Sequence, residues 1–272
     1  MSWVRNALCT TVLGLATAPA LIGLSAASAM AMPVELLSHR AAYRLSLADS
    51  GVPGGLSAVR GALVMEWRAS CEGWLSTQQL GFVAETGEGP GFAYDVRFSS
   101  WESIDDRRLR FNVRSFDDSG EAEEFRGQAT LDGPDGQGLV NYARPEASVL
   151  PLPKGTIFPT EHVRSLIRAA QAGTRVVSHD VFDGSGPDAL TRVTAVIGAA
   201  RQASDDEAAG QSLWPVSLAY YELGEPDATP SFELSFLMAP DGVLYDVTLD
   251  YGDFKLKAEL EKMERFETPS CG

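Results

Sequence analysis

Segment after segment of this chain alternates apolar and polar residues with a period of two. Leu63, Met65 and Trp67 alternate with Ala62, Val64 and Glu66. Trp74, Ser76, Gln78, Leu80 and Phe82 line one face of the next segment, and Phe92, Tyr94, Val96 and Phe98 one face of the segment after it. Leu109, Phe111 and Val113 alternate with Arg108, Arg110, Asn112 and Arg114. The same rhythm returns in Trp214 to Tyr220, Phe232 to Met238 and Tyr245 to Tyr251. Successive side chains of a strand point to opposite faces, so this pattern predicts half-buried β-strands. Asp118-Ser119-Gly120, Asp132 to Gly136 and Pro240-Asp241-Gly242 supply turns between them. Short connections imply antiparallel pairing. Roughly twelve to fifteen strands are expected, and twisted sheets rarely stay open beyond about ten. The expected fold is mainly β: an antiparallel curved sheet closing into a β-spiral or open barrel, with the aromatic faces lining its concavity.

One stretch breaks the rhythm. LPLPKGTIFPTEH (Leu150 to His162) holds three prolines and runs into a helical pattern of Val163, Leu166, Ile167 and Ala170, with Gly173 just past its end. Thr160, after Pro159, reads as the N-cap. So short an amphipathic helix needs an apolar surface to lie on. The spacing predicts a crossing in which Pro159, Thr160, Glu161 and His162 start a helix that plugs the concavity. Near the C-terminus, FKLKAELEKMERF alternates up to Leu260 and then loses phase at Met263 and Phe266, which predicts a strand with a bulge. Arg201 to Gly210 reads as a solvated loop.

The chain opens with Arg5, an apolar run from Ala7 to Leu24, and small residues ending Ala27-Ser28-Ala29 and Ala29-Met30-Ala31. This is the pattern of an export signal over residues 1–31, cleaved after Ala29 or Ala31. It leaves one domain over residues 32–272, placed in the periplasm. No cysteine follows the cleavage region, so a lipid anchor there is not expected. Cys9 leaves with the signal. Cys71 and Cys271 remain, and in an oxidising compartment they most simply form one disulfide. Two free thiols are the alternative, whereas a redox pair is disfavoured because there is no C-x-x-C.

The net charge of −15 argues against nucleic acid and against broad docking on anionic membranes. His39, His162 and His179 do not fall at metal spacing, so neither metal nor cofactor is expected. His162 beside Glu161 invites an acid–base reading, but adjacent helix positions diverge, and a capping or packing role fits better. Phe182-Asp183-Gly184-Ser185-Gly186 reads as a tight turn and lacks the G-x-S-x-G order of a nucleophile elbow. Arg108, Arg110 and Arg114 share one strand face. That face is either a solvated exterior or a cationic patch for an acidic partner or a phosphorylated head group. Trp67, Trp74, Trp101 and Trp214 are either core or a binding lining. No catalytic residue is expected.

SHRAAYRLSL (Ser38 to Leu47), MEWRASCEGW (Met65 to Trp74), SSWES (Ser99 to Ser103), LPKGTIFPTEH, FDGSG and the C-terminal cysteine occur in this order. The series resembles the cell-envelope-integrity EipB family of alphaproteobacterial periplasmic proteins, over nearly the whole mature chain. The resemblance implies a β-spiral, a family disulfide that Cys71 and Cys271 match in placement, and a role in maintaining the envelope. It also implies a likeness to periplasmic proteins that bind lipoproteins or peptides, and it carries no catalytic residues. The function expected is a non-enzymatic envelope factor binding a protein, peptide or lipidated ligand. The alternatives are a scaffold with a filled interior and a hydrolase with its site near His162.

Overall fold

The computed structural model describes residues 34–271, apart from 52–54, 88, 117–119, 121, 134–135, 204–207, 209 and 225–228. The expected export signal and parts of two expected turns lie outside the described residues. The described part is mostly strand, with one helix. The elements are β1 (His39–Asp49), β2 (Leu56–Ser70), β3 (Gly73–Thr86), β4 (Phe92–Ser103), β5 (Arg108–Phe116), β6 (Ala122–Leu131), β7 (Gly138–Arg144) and β8 (Ser148–Leu152). After α1 (Pro159–Gln171) follow β9 (Val176–Phe182), β10 (Leu190–Ile197), β11 (Arg201–Gln202), β12 (Ser212–Glu222), β13 (Phe232–Met238), β14 (Leu244–Asp250) and β15 (Lys255–Arg265).

The described strands form one fifteen-stranded sheet in the order β8-β7-β6-β5-β4-β3-β2-β1-β15-β14-β13-β12-β10-β9, with β11 beside β12. The paired strands are antiparallel, as the short turns imply. The first strand pairs with the last, in the middle of the ladder. The chain therefore builds outwards through β8, crosses over, and builds back from β9 to β15. Pro153 to Arg175, carrying α1, is that crossing. The proline-rich stretch is the joint at which the sheet changes ends.

Register puts the alternating apolar residues on one inner face. Tyr43 lies opposite Leu63, Leu63 opposite Leu80, and Phe82 opposite Tyr94. Leu166, Ile167 and Ala170 of α1 are buried in the same core as Tyr43, Leu45, Val193 and Val216, so the helix occupies the concavity. A 13-residue helix is about 20 Å long and marginal in isolation, and this packing sustains it.

Thr160 is not the N-cap. Phe158 is, with extended backbone and no side-chain cap, and Pro159 takes the first helical position, where its missing N–H costs nothing. Thr160 falls inside the first turn, and its backbone N–H donates to Oε2 of Glu102 on β4 at 3.0 Å. The cap thus comes from a strand 58 residues earlier, which local sequence cannot show. The C-terminus behaves as read. Gly173 has φ 73°, its N–H donates to the Ala170 carbonyl, and the Thr174 N–H to the Ala169 carbonyl.

β15 is a bulged strand. Ala42 pairs with Lys262 but Tyr43 with Leu260, so Glu261 is the extra residue and the later apolar residues fall out of phase. Arg201 to Gly210 is more ordered at its ends than a solvated loop. Arg201–Gln202 pairs with β12, and Ala208 is buried with Leu213, Leu237 and Tyr245. No helix among the described residues is long and apolar enough to cross a membrane.

Two close contacts tie distant parts of the chain together. A disulfide joins Cys71, in the β2–β3 turn, to Cys271 across 200 residues, with Cα atoms 5.5 Å apart. The Asp183 turn packs on β5 with no room for a side chain. Gly184 has φ 75°, and a Cβ there would meet the Phe111 ring at 2.4 Å. Cys271→Ser should lower stability by about 2–5 kcal/mol in denaturant under non-reducing conditions, and reductant should bring the wild type to the same level. Unchanged unfolding midpoints would refute the bridge. Gly184→Ala should cost about 2 kcal/mol or more, read as a lower melting temperature, because it adds both backbone strain and a clash.

Candidate functional site

Two places combine polar chemistry with defined geometry. One lies inside, where α1 meets β4 and β9. The other lies on the outer face of β3 to β7.

At the inner place, Glu102 sits buried on β4 directly opposite Trp74. Burial pushes its carboxyl up to about 7, against the pull of hydrogen bonds from Thr160 and Glu161, while the neighbouring Asp106 carboxylate pushes it further up. Its Oε1 has no partner of hydrogen-bond geometry. Asp106 pairs with Arg164 at 2.8 Å, and Glu161 pairs with Arg168. His162 is buried edge-to-face on His179, ring centroids 6.1 Å apart, with Nε2 unpartnered. Burial first, and then His179, lower its pKa to about 4. His179 Nε2 lies 2.7 Å from Ser165 Oγ.

A serine beside a histidine could be a nucleophile beside its base. Such a pair needs a third group to orient the histidine and donors to receive an oxyanion. No carboxylate is hydrogen-bonded to His179 among the described residues. Burial lowers the pKa of both histidines, and the ion pairs knit α1 to itself and to the β4–β5 turn. The arrangement anchors a helix. Pro159, Thr160, Glu161 and His162 all belong to it.

On the outer face the register builds a different set. Trp101 of β4 lies opposite Leu75 of β3 and Arg110 of β5; Arg110 lies opposite Gln128 of β6, and Gln128 opposite Asn141 of β7. The row beside it holds Ser99, Asn112 and Arg126. Together these line a cavity of about 510 Å³. A second cavity, of about 590 Å³, shares Trp101 and Arg110 and adds Cys71, Glu72, Ile104 and Arg108. The guanidinium groups of Arg108 and Arg110 stand over the Trp101 ring, 5.7 and 5.2 Å from its centroid. The Oδ1 of Asn112 is buried without a partner.

Charge marks this groove. Arg40, Arg44, Arg60, Arg68, Arg97, Arg164, Arg168 and Arg192 each form an ion pair. Among the described residues Arg108, Arg110 and Arg126 form none. Their cationic groups lack a carboxylate within ion-pair distance, on a chain of net charge −15.

The residues read from the sequence separate here. Trp67 and Trp74 form an edge-to-face pair at 6.3 Å on the inner face, and Trp214 packs on the same core opposite Met238. These three support the interior. Trp101 alone joins the arginines. Arg114 stands apart, over Phe116 and opposite Glu124. Arg126, Asn112, Gln128 and Asn141 were not picked out from the sequence. Only the pairing of β5 to β7 places them beside Trp101, and register is not written in any one of those strands. Among the described residues no group of three or more His, Cys, Asp or Glu is placed to hold a metal.

Known proteins resemble this chain along most of its length. The EipB-like family profile matches residues 30–267. The cell envelope integrity protein EipB of Brucella abortus (strain 2308) is 32% identical over 255 residues, covering 90% of each chain. The crystal structure of a β-barrel-like protein of a domain of unknown function, also from Brucella abortus, superposes with a TM-score of 0.78 at 32% identity. It covers 86% of this chain and 100% of that one.

Glu102 yields a pH test. Its folded pKa of about 7 lies above the ordinary carboxyl value of 4.5, so the folded state holds the proton more tightly. The stability this contributes is full below about pH 4.5 and lost as pH rises through about 7. His162 acts in the opposite sense, its folded pKa lying below the unfolded one. The informative quantity is therefore the difference between wild type and Glu102→Gln. The wild type should lose stability relative to the variant between pH 4.5 and 7.5 in urea titrations. Parallel profiles would show that Glu102 is not held protonated by burial.

Proposed function

This chain belongs to the EipB-like family, and on that premise we propose that it is a non-enzymatic periplasmic protein that supports cell-envelope integrity by binding a protein, peptide or lipidated ligand. The envelope role is supported by the 32% identity to the Brucella protein, which spans 90% of both chains. The periplasmic placement is supported by the export signal read over residues 1–31 and by the Cys71–Cys271 disulfide, a bond of oxidising compartments.

The observation that carries the binding reading is the outer groove. It is an open cavity of several hundred Å³ with an aromatic floor and unpaired cations, the size and chemistry of a ligand site. The concavity is the other conceivable site; Leu166, Ile167 and Ala170 of α1 occupy the part of it beside Tyr43, Val193 and Val216, while Phe92 and Tyr94 farther along the inner face stay 37% and 38% exposed. That packing supports the scaffold reading for that part of the interior and favours binding on the outside. The non-enzymatic reading is supported by the inner polar cluster, whose charged groups are spent on anchoring α1.

Deleting the gene should sensitise cells to deoxycholate, measured as plating efficiency. Wild type and Ser165→Ala should both restore survival, because Ser165 serves packing rather than turnover. Trp101→Ala should not. Undiminished survival of the deletion strain would remove the envelope role. Failure of Ser165→Ala at normal protein levels would point to a hydrolase.

A further inference from the structure

We propose that the outer groove is the docking site for an acidic segment of a protein partner, an extended stretch in which carboxylates flank an apolar anchor. This inference rests on the binding reading above and gives its ligand a chemical class.

Three observations define the occupant. The first is charge. Arg108, Arg110 and Arg126 line or flank one groove, with Glu72 at its edge, and form no ion pair among the described residues; Arg107, Arg114, Arg144, Arg175, Arg201 and Arg265 form none either, but only these three gather around one aromatic ring and cavity among the described residues. A chain of net charge −15 that leaves three cations together unpaired offers a local match to carboxylates and rejects basic partners. The second is the apolar floor. Leu75 is 41% exposed and Ile104 59% exposed, and each lines a cavity together with Trp101. Exposed large apolar side chains gathered at a groove mark an interaction site, and tryptophan and arginine are the residues that dominate protein interfaces. The third is shape. The groove crosses from β3 to β7, four inter-strand spacings or about 19 Å. That accommodates about six residues of extended chain.

A membrane surface fits less well. An anionic leaflet repels the chain as a whole, and the guanidinium groups lie in a groove rather than on a flat rim. A lone phosphate or carboxylate would leave the apolar floor unused.

The test is selection from a displayed library of random decamers on the mature, oxidised protein. Sequences carrying Asp or Glu around a Leu, Phe or Trp should be enriched. A synthetic winner should bind Arg110→Glu/Arg126→Glu about tenfold or more weakly, and its affinity for the wild type should fall with salt. Both arginines are exposed, so the melting temperature of the variant should match the wild type and exclude misfolding. Neutral or basic winners, no enrichment, or equal binding by the double variant would overturn the proposal. Self-association that disappears in the double variant would make the groove an interface between copies of this chain instead. Sedimentation with phosphatidylglycerol vesicles that is lost in the variant would make it a lipid site. Acidic winners alongside a detergent-resistant deletion strain would leave this inference standing and remove the envelope role. A sensitive deletion strain without acidic winners would do the reverse.

Discussion

Three phenylalanines turn a long ladder into a closed body. The outermost strands of the hydrogen-bonded path, β8 and β9, are not paired to each other. Phe111 from β5, Phe158 from the crossing and Phe182 from β9 meet in one buried cluster with Leu109, Val140 and Leu152. Phe111 and Phe182 lie edge-to-face at 5.6 Å, and Phe111 and Tyr142 at 5.5 Å. The Tyr142 hydroxyl donates to the Gly186 carbonyl at 3.2 Å, and Gly184 admits the Phe111 ring because it has no side chain. The coil closes through this cluster and through one parallel bridge from Ile157 to Val181, where β8 and β9 do not pair along their length.

That mode of closure assigns the two faces different tasks. The inner face is committed to cohesion: Trp67, Trp74 and Trp214 join the core, and α1 supplies the remaining volume. Polar groups trapped there serve the helix, Glu102 most directly. The outer face has no such duty. Elsewhere on it several arginines sit in exposed ion pairs of small energetic value. Over β3 to β7 the surface keeps an aromatic ring, guanidinium groups without an ion pair and exposed aliphatic residues together. Recognition is concentrated where stability makes no demand.

Much of this was legible in the sequence, because period-two alternation is a direct consequence of strand geometry. The strands, their antiparallel turns, the bulge in β15, the helix over Val163 to Ala170 and its Gly173 terminus follow from local patterns. What was not legible depends on pairs of residues far apart in the chain. Thr160 has the chemistry of an N-cap, yet Phe158 takes that position because Glu102 supplies the acceptor from across the fold. Trp67, Trp74, Trp101 and Trp214 look alike in sequence. The register puts three inside and one outside, since moving one residue along a strand changes the face. Arg126 carried no local signal and joins Arg110 only through the pairing of β5 with β6.

The same geometry bears on whether α1 opens. Its approach is stitched to β9 by two backbone hydrogen bonds, Ile157 N–H to the Asp180 carbonyl at 3.0 Å and Phe182 N–H to the Ile157 carbonyl at 3.1 Å. Phe158, Leu166 and Ile167 are almost fully enclosed. Re-exposing those three side chains would cost on the order of 5–9 kcal/mol. That is comparable to the entire stability of an ordinary domain. It would also strip Glu102 of its hydrogen bonds while leaving the carboxyl among apolar neighbours. A lid must open at a cost that ligand binding can repay, and differential affinities of a few kcal/mol do not reach this one. The energetics argue for α1 as a fixed plug. A ligand of this protein then has to be met by a surface that is already open, and the groove around Trp101 is such a surface.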